Sequence, residues 1–174
     1  MSLSFAKTIP AFVSIALLSA SSLCAVESPS TPMDNNTSSS ADAGQEVLAM
    51  GKWLTEDGRA HVDIHPCTDK QEALCGKIVW LKEPIDTDTN AEKLDKNNPD
   101  EKLRDRKLLG LEILSHFVKS DEPNTWKDGK IYSPREGSTY SCTMTLKDNE
   151  KLEVHGYVAL PLFGKTQVWT RVKD

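Results

Sequence analysis

The chain has 174 residues, with 21 lysines and arginines against 26 aspartates and glutamates. That length allows one domain with unstructured ends, and the formal net charge of −5 lacks the basic excess with which nucleic-acid binders engage phosphate. The charge is unevenly spread: Glu27, Asp34, Asp42 and Glu46 meet no base between 26 and 46, whereas 47–174 holds twenty bases against twenty-two acids.

Residues 1–25 read as an export signal. Lys7 supplies a positive start, Ile9 to Leu18 (IPAFVSIALL) a short apolar core, and SASSLCA the small residues that precede cleavage. The apolar run is too short to span a bilayer comfortably, so no membrane span is expected after cleavage. Cleavage fits after Ser22 or after Ala25. Cys24 offers a lipid-anchored alternative, weakened by Leu23 where such signals take a small residue. The periplasm or the cell exterior is the expected location. Residues 26–46, rich in Ser, Thr, Pro, Asn and Asp, have too little to bury to offset the entropy of ordering, and are expected to form a disordered linker.

From 47 to 174 the pattern is period-two alternation. RAHVDIH sets Ala60, Val62 and Ile64 on one face; YSCTMTLK sets Tyr140, Cys142, Met144 and Leu146 together; KLEVHGYV does the same with Leu152 and Val154. Turn chemistry falls at EDG (56–58), KDG (127–129), REG (135–137) and KDNE (147–150). Eight strands are expected, near 47–55, 59–66, 73–81, 107–117, 126–133, 138–147, 151–160 and 164–172. A hairpin meander of that kind is all-β. Closure into an eight-stranded antiparallel up-and-down barrel removes its edges, with a two-sheet β-sandwich as the alternative.

Two features interrupt the meander. Cys67 and Cys75 flank a polar loop and, in an oxidising compartment, are expected to close a disulfide rather than remain two buried thiols, contributing about 2–3 kcal/mol. Cys142 then lacks an evident partner and fits a small core position. Residues 83–106 are long, polar and doubly charged, as functional or flexible loops are; AEKLDK within them has the composition of a short helical turn.

In a closed meander the first and last strands are neighbours. Gly51 and Trp53 open the domain and Arg171 closes it, so the indole can plug one barrel end beneath the guanidinium, a contact that stabilises by about 0.5–2 kcal/mol. This pairing resembles lipocalins and related calycin barrels. Read in order, GKWLTEDGRAHVDIHPC, LCGKIVWL, DKNNPDEKLRDRKLLGLEIL, WKDGKIYSPREGSTYSCTMTL, LEVHGYV and GKTQVWTR resemble the secreted bacterial family of domain of unknown function 2147 (DUF2147) over about 47–172. Asn98, Pro99, Gly110, Trp126, Gly129, Tyr132, Pro134, Gly137, Tyr140, Gly156, Trp169 and Arg171 carry that likeness; Cys142 and the linker do not. The resemblance implies a calycin-like barrel and no catalytic set. Gly129 and Gly137 suit turns with positive φ, and Gly156 suits a bend or a close backbone approach.

No nucleophile or phosphate-binding motif stands out. Asp86, Asp88 and Asn90 start like a calcium loop, but Ala91 and Asn97 occupy the positions that require Gly and Glu. His61 and His65 lie on the polar strand face, spaced too far for one metal. No metal, cofactor or catalytic residue is therefore expected. The favoured expectation is a non-enzymatic barrel that binds a small apolar or amphipathic molecule in a cavity lined by Tyr132, Tyr140, Cys142, Met144, Leu146, Leu152 and Val154. The alternative is an envelope interaction or scaffold protein that uses 83–106 as its contact surface.

Overall fold

The computed structural model describes residues 48–173; the expected export signal (1–25), the expected linker (26–46) and Cys24 lie outside them. Ten strands follow in chain order: β1 (Gly51–Leu54), β2 (Ala60–Pro66), β3 (Ala73–Leu81), β4 (Ile85–Asp86), β5 (Ala91–Glu92), β6 (Glu112–Lys119), β7 (Thr125–Ser133), β8 (Ser138–Asp148), β9 (Lys151–Tyr157) and β10 (Gly164–Arg171). Eight of them close an antiparallel barrel in the order β1-β10-β9-β8-β7-β6-β3-β2, while β4 and β5 form a separate two-stranded ribbon. β1 closes the ring: it pairs with β2 on one side and with β10 on the other, where Trp53 stands opposite Arg171. Every long strand thus has two neighbours, which leaves no open edge to protect.

The alternation read from the sequence is the alternation of burial. Val62 and Ile64 on β2, Cys142, Met144 and Leu146 on β8, and Leu152 and Val154 on β9 all face the interior. Trp53, Trp126, Trp169 and Phe117 join them in one core. Each large apolar side chain so buried contributes about 1.5–3 kcal/mol. Cys67 and Cys75 form the expected disulfide at the turn from β2 to β3, and Cys142 is a free, buried thiol. Among the described residues no helix is long and apolar enough to cross a membrane.

Three local expectations are corrected. KDG at 127–129 is not a turn: β7 runs through it with a bulge between Trp126 and Gly129. Asp128 takes the positive φ there, at 61°. Gly129 is required for space instead, since a Cβ would lie 2.4 Å from the ring of Phe117. AEKLDK forms no helical turn; Ala91 and Glu92 are extended against Asp86 and Ile85, and the 3-10 turn of this region comes later, at Glu101–Leu103. The strand expected from 107 begins at Glu112, because Lys107 bridges to Leu94 and Leu111 folds back to donate to the Leu108 carbonyl at 3.1 Å.

The long segment between β3 and β6 is tied to the barrel by a buried carboxylate. Asp95 is fully buried. Its Oδ2 accepts from Arg106 Nε at 2.9 Å and Asn98 Nδ2 at 2.8 Å, and its Oδ1 from the Tyr132 hydroxyl at 2.7 Å. The Arg106 guanidinium also lies 5.4 Å from the centre of the Tyr132 ring. A buried charge is tolerable only when paired and hydrogen-bonded in this way. A second tie runs from Asn97 Nδ2 to the Arg135 carbonyl at 3.0 Å. There Gly137, at φ 64°, has no room for a Cβ beside the Asn97 carbonyl.

Candidate functional site

Strand direction gives the barrel two unlike ends. At one end lie residues 48–50, the disulfide turn, the β8–β9 turn and the end of β10. Trp53 is fully buried there, its Nε1 donating to the Ala49 carbonyl at 2.9 Å. The Arg171 guanidinium lies 4.2 Å from the indole centre and donates to the carbonyls of Met50, Asn149 and Leu48. Gly51, at φ 105°, lets the chain turn past Arg171 Nη1. Burial lowers the arginine's affinity for its proton below the usual arginine range; a guanidinium is basic enough to stay a cation in a protein. This end is stoppered.

The other end carries the turns at 55–59, 134–137 and 158–163 and the long 82–111 segment. A cavity of about 590 Å³ opens among them. Ala60, Ile78, Ile113, Ile131, Val154 and Trp169 form its inner, apolar wall, and the rim carries Glu56, Asp57, Arg59, Arg135, Glu136 and Lys165. The Tyr140 hydroxyl donates to Glu136 Oε2 at 2.7 Å, and that carboxylate keeps the phenol protonated beyond its ordinary range.

One side of the mouth is apolar. Val158 and Phe163 line the cavity yet are 64% and 72% exposed, and Leu162 between them is 85% exposed. His155 holds this segment from outside the barrel. Its Nε2 must carry the proton, because it meets the Pro161 carbonyl at 2.8 Å. In the neutral ring Nδ1 then accepts from the Thr166 hydroxyl, also at 2.8 Å.

A second cavity of about 420 Å³ lies beneath the long segment and shares Asp57, Arg59, Ile78, Pro134 and Arg135 with the first. Asp86, which began the calcium-like pattern, accepts from the backbone N–H groups of Asp88 and Thr89 and from Lys96 Nζ at 2.7 Å. Those donors, Lys96 foremost, hold its carboxyl down at about 2. Among the described residues no three His, Cys, Asp or Glu side chains converge as a metal site would need. His61 instead packs against Trp80, ring centres 4.3 Å apart.

The residues expected to line a cavity divide by depth. Tyr140 and Val154 line it, and Tyr132 reaches its rim with the hydroxyl turned to Asp95. Cys142, Met144, Leu146 and Leu152 do not line it; they fill the lower barrel, all 4% exposed or less, with Trp53 and Trp126. Three of the seven thus stand at the cavity, Tyr132 with its side chain turned to the long segment, and four lie in the packed interior. Ile78, Ile113, Arg59, Arg135 and Phe163 were not foreseen. The isoleucines sit in apolar runs that carry no clean alternation, and turn and rim residues carry no period at all.

No curated protein matches the chain. A solved structure does: protein HP1028 from the human pathogen Helicobacter pylori, described as belonging to the lipocalin family. It is 26% identical, with 72% of this chain and 83% of that chain covered and a TM-score of 0.59. This likeness and the closed eight-stranded ring agree on a lipocalin-like barrel. The family described as "Uncharacterized protein conserved in bacteria (DUF2147)" matches residues 51–171, from the first residue of β1 to the last of β10, and the chain belongs to that family.

Proposed function

We propose that this protein is an exported, non-enzymatic binding protein that holds a small apolar or amphipathic molecule in the open half of its barrel. The observation that carries this reading is the cavity of about 590 Å³, with an apolar inner wall and a polar rim, above a closed barrel floor. Small-molecule sites have this size and this distribution of polarity, and the mouths of β-barrels are among the places they occur. The disulfide fits an oxidising compartment. That residues of the long segment line the adjoining cavity supports this reading over 83–106 as an envelope contact surface.

Titration with the neutral, polarity-sensitive fluorophore N-phenyl-1-naphthylamine tests the reading, with native mass spectrometry of protein taken from its own cells. Saturable binding that is abolished by Val154→Trp, which fills the apolar wall, supports it. Absence of any saturable signal, together with a bare protein mass, overturns it.

A further inference from the structure

The two cavities meet at a pair of arginines. Arg59 stands where the β1–β2 turn ends and Arg135 in the β7–β8 turn, and both line the barrel cavity and the cavity beneath the long segment. The second cavity has five cationic side chains (Lys82, Lys93, Lys96, Arg59, Arg135) and three carboxylates (Asp57, Glu83, Asp86) on its walls. Two of those carboxylates are taken: Glu83 pairs with Lys93 at 3.1 Å and Asp86 with Lys96 at 2.7 Å. The third, Asp57, accepts from the Thr55 hydroxyl at 2.7 Å and the Arg59 backbone N–H at 3.1 Å. Among the described residues, the guanidinium groups of Arg59 and Arg135 enter no ion pair of 4.0 Å or less and no side-chain hydrogen bond.

We infer that Arg59 and Arg135 form a head-group site that selects an amphipathic anion, whose apolar part lies in the barrel and whose carboxylate or phosphate lies at the junction of the two cavities. This rests on the proposed binding function and adds a ligand class to it. The physical reason is complementarity along one path. Ile78, common to both cavities, continues the apolar wall up to the arginines. A guanidinium binds a carboxylate or phosphate in a two-pronged fashion that neither an alcohol nor a cation can reproduce. The walls of the second cavity carry two more cations than carboxylates, an excess that an anionic ligand removes, while the barrel rim is balanced, with Glu56, Asp57 and Glu136 against Arg59, Arg135 and Lys165.

Competition against bound N-phenyl-1-naphthylamine with four probes of equal chain length tests the inference: dodecanoate, dodecyl phosphate, dodecanol and dodecyltrimethylammonium. One or both anions are expected to bind about tenfold more tightly than the alcohol, with a preference that shrinks as salt is raised. The relative strength of the two anions distinguishes carboxylate from phosphate. The double variant Arg59→Ala/Arg135→Ala is expected to lose that preference while it retains dodecanol binding, and Arg59→Lys/Arg135→Lys to keep part of it. Both arginines are exposed, so the variants leave the fold intact, as circular dichroism can verify. Equal binding of all four probes, or a preference unchanged in the alanine variant, overturns the inference and leaves the proposed binding function standing. Failure of all four probes and of the fluorophore overturns both.

Discussion

Arg171 and Trp53 are directly opposed across the β1–β10 ladder, and the guanidinium carbon lies 4.2 Å from the indole centre. One side chain thereby joins the two ends of the domain and occupies three backbone carbonyls, those of Leu48, Met50 and Asn149. Arg171→Ala removes the cation over the ring and leaves those carbonyls to water. A loss of about 2–3 kcal/mol is expected in urea unfolding. Arg171→Lys recovers only part, since an ammonium cannot reach the three acceptors in a plane. A midpoint unchanged in the alanine variant contradicts the assignment of barrel closure to this contact.

Asp95 has a comparable role for the long segment between β3 and β6. Asp95→Asn keeps the size of the side chain but turns one of its two acceptor oxygens into a donor, facing either the Tyr132 hydroxyl or the Arg106 guanidinium. Because Arg106 is 36% exposed and can turn to water, the cost is that of a mismatched buried hydrogen-bond group, about 1–3 kcal/mol. The barrel hydrogen bonds do not depend on this group, so the loss is expected to appear first as local opening. Amide exchange should accelerate across 93–108 while β8 and β9 stay protected. Uniform acceleration throughout the barrel contradicts that separation. Tyr132→Phe, which leaves Asp95 Oδ1 without its donor, is expected to give a smaller effect at the same amides.

The all-β class, the eight barrel strands and the ring closure were legible in the sequence because each rests on a local signal: alternation along β8 and β9, turn residues between strands, an indole near the start and a guanidinium at the end. The β4–β5 ribbon, two residues a side, carries no such signal. Depth inside the barrel was not legible. Tyr140, Cys142, Met144 and Leu146 all point inward along one strand, and nothing local separates Tyr140 at the mouth from Leu146 beside the packed floor. That difference depends on cross-strand register and on the two indoles, Trp53 and Trp126, that fill the lower half. Asp95 was equally hidden. It lies in a charged, polar stretch, where a carboxylate reads as exposed. Its partners Arg106 and Tyr132 stand eleven and thirty-seven positions away, with no periodicity linking them.

The β7 bulge supplies a test of packing. A Cβ at Gly129 would stand 2.4 Å from Phe117 Cδ1, and the ring is fully buried. Gly129→Ala is therefore expected to cost about 1–3 kcal/mol through overpacking. If space is the cause, Phe117→Leu relieves the clash: the double variant should be less destabilised than the sum of the two single variants. Strict additivity assigns the requirement to backbone conformation at Gly129 instead.

Cys142 gives a pH dependence whose sign follows from its surroundings. Burial pushes its thiol up from 9.0 to about 12, against a smaller opposing influence of the Thr143 backbone. The folded state therefore holds the thiol proton more tightly than the unfolded chain does. Below pH 9 both states keep it and the group adds no slope. Between pH 9 and about 12 the unfolded chain releases the proton first, so stability must fall as pH rises, by at most about 1.4 kcal/mol per pH unit. Cys142→Ala is expected to flatten the alkaline limb of unfolding free energy against pH by that contribution, although the variant is less stable at neutral pH because of the lost sulfur. The same protonation predicts kinetics. At pH 8 a disulfide-exchange reagent should label the native protein only as fast as it opens, and the unfolded chain at once. Rapid labelling of the native state, or an alkaline limb identical in both proteins, contradicts a thiol held neutral by the packed half of the barrel.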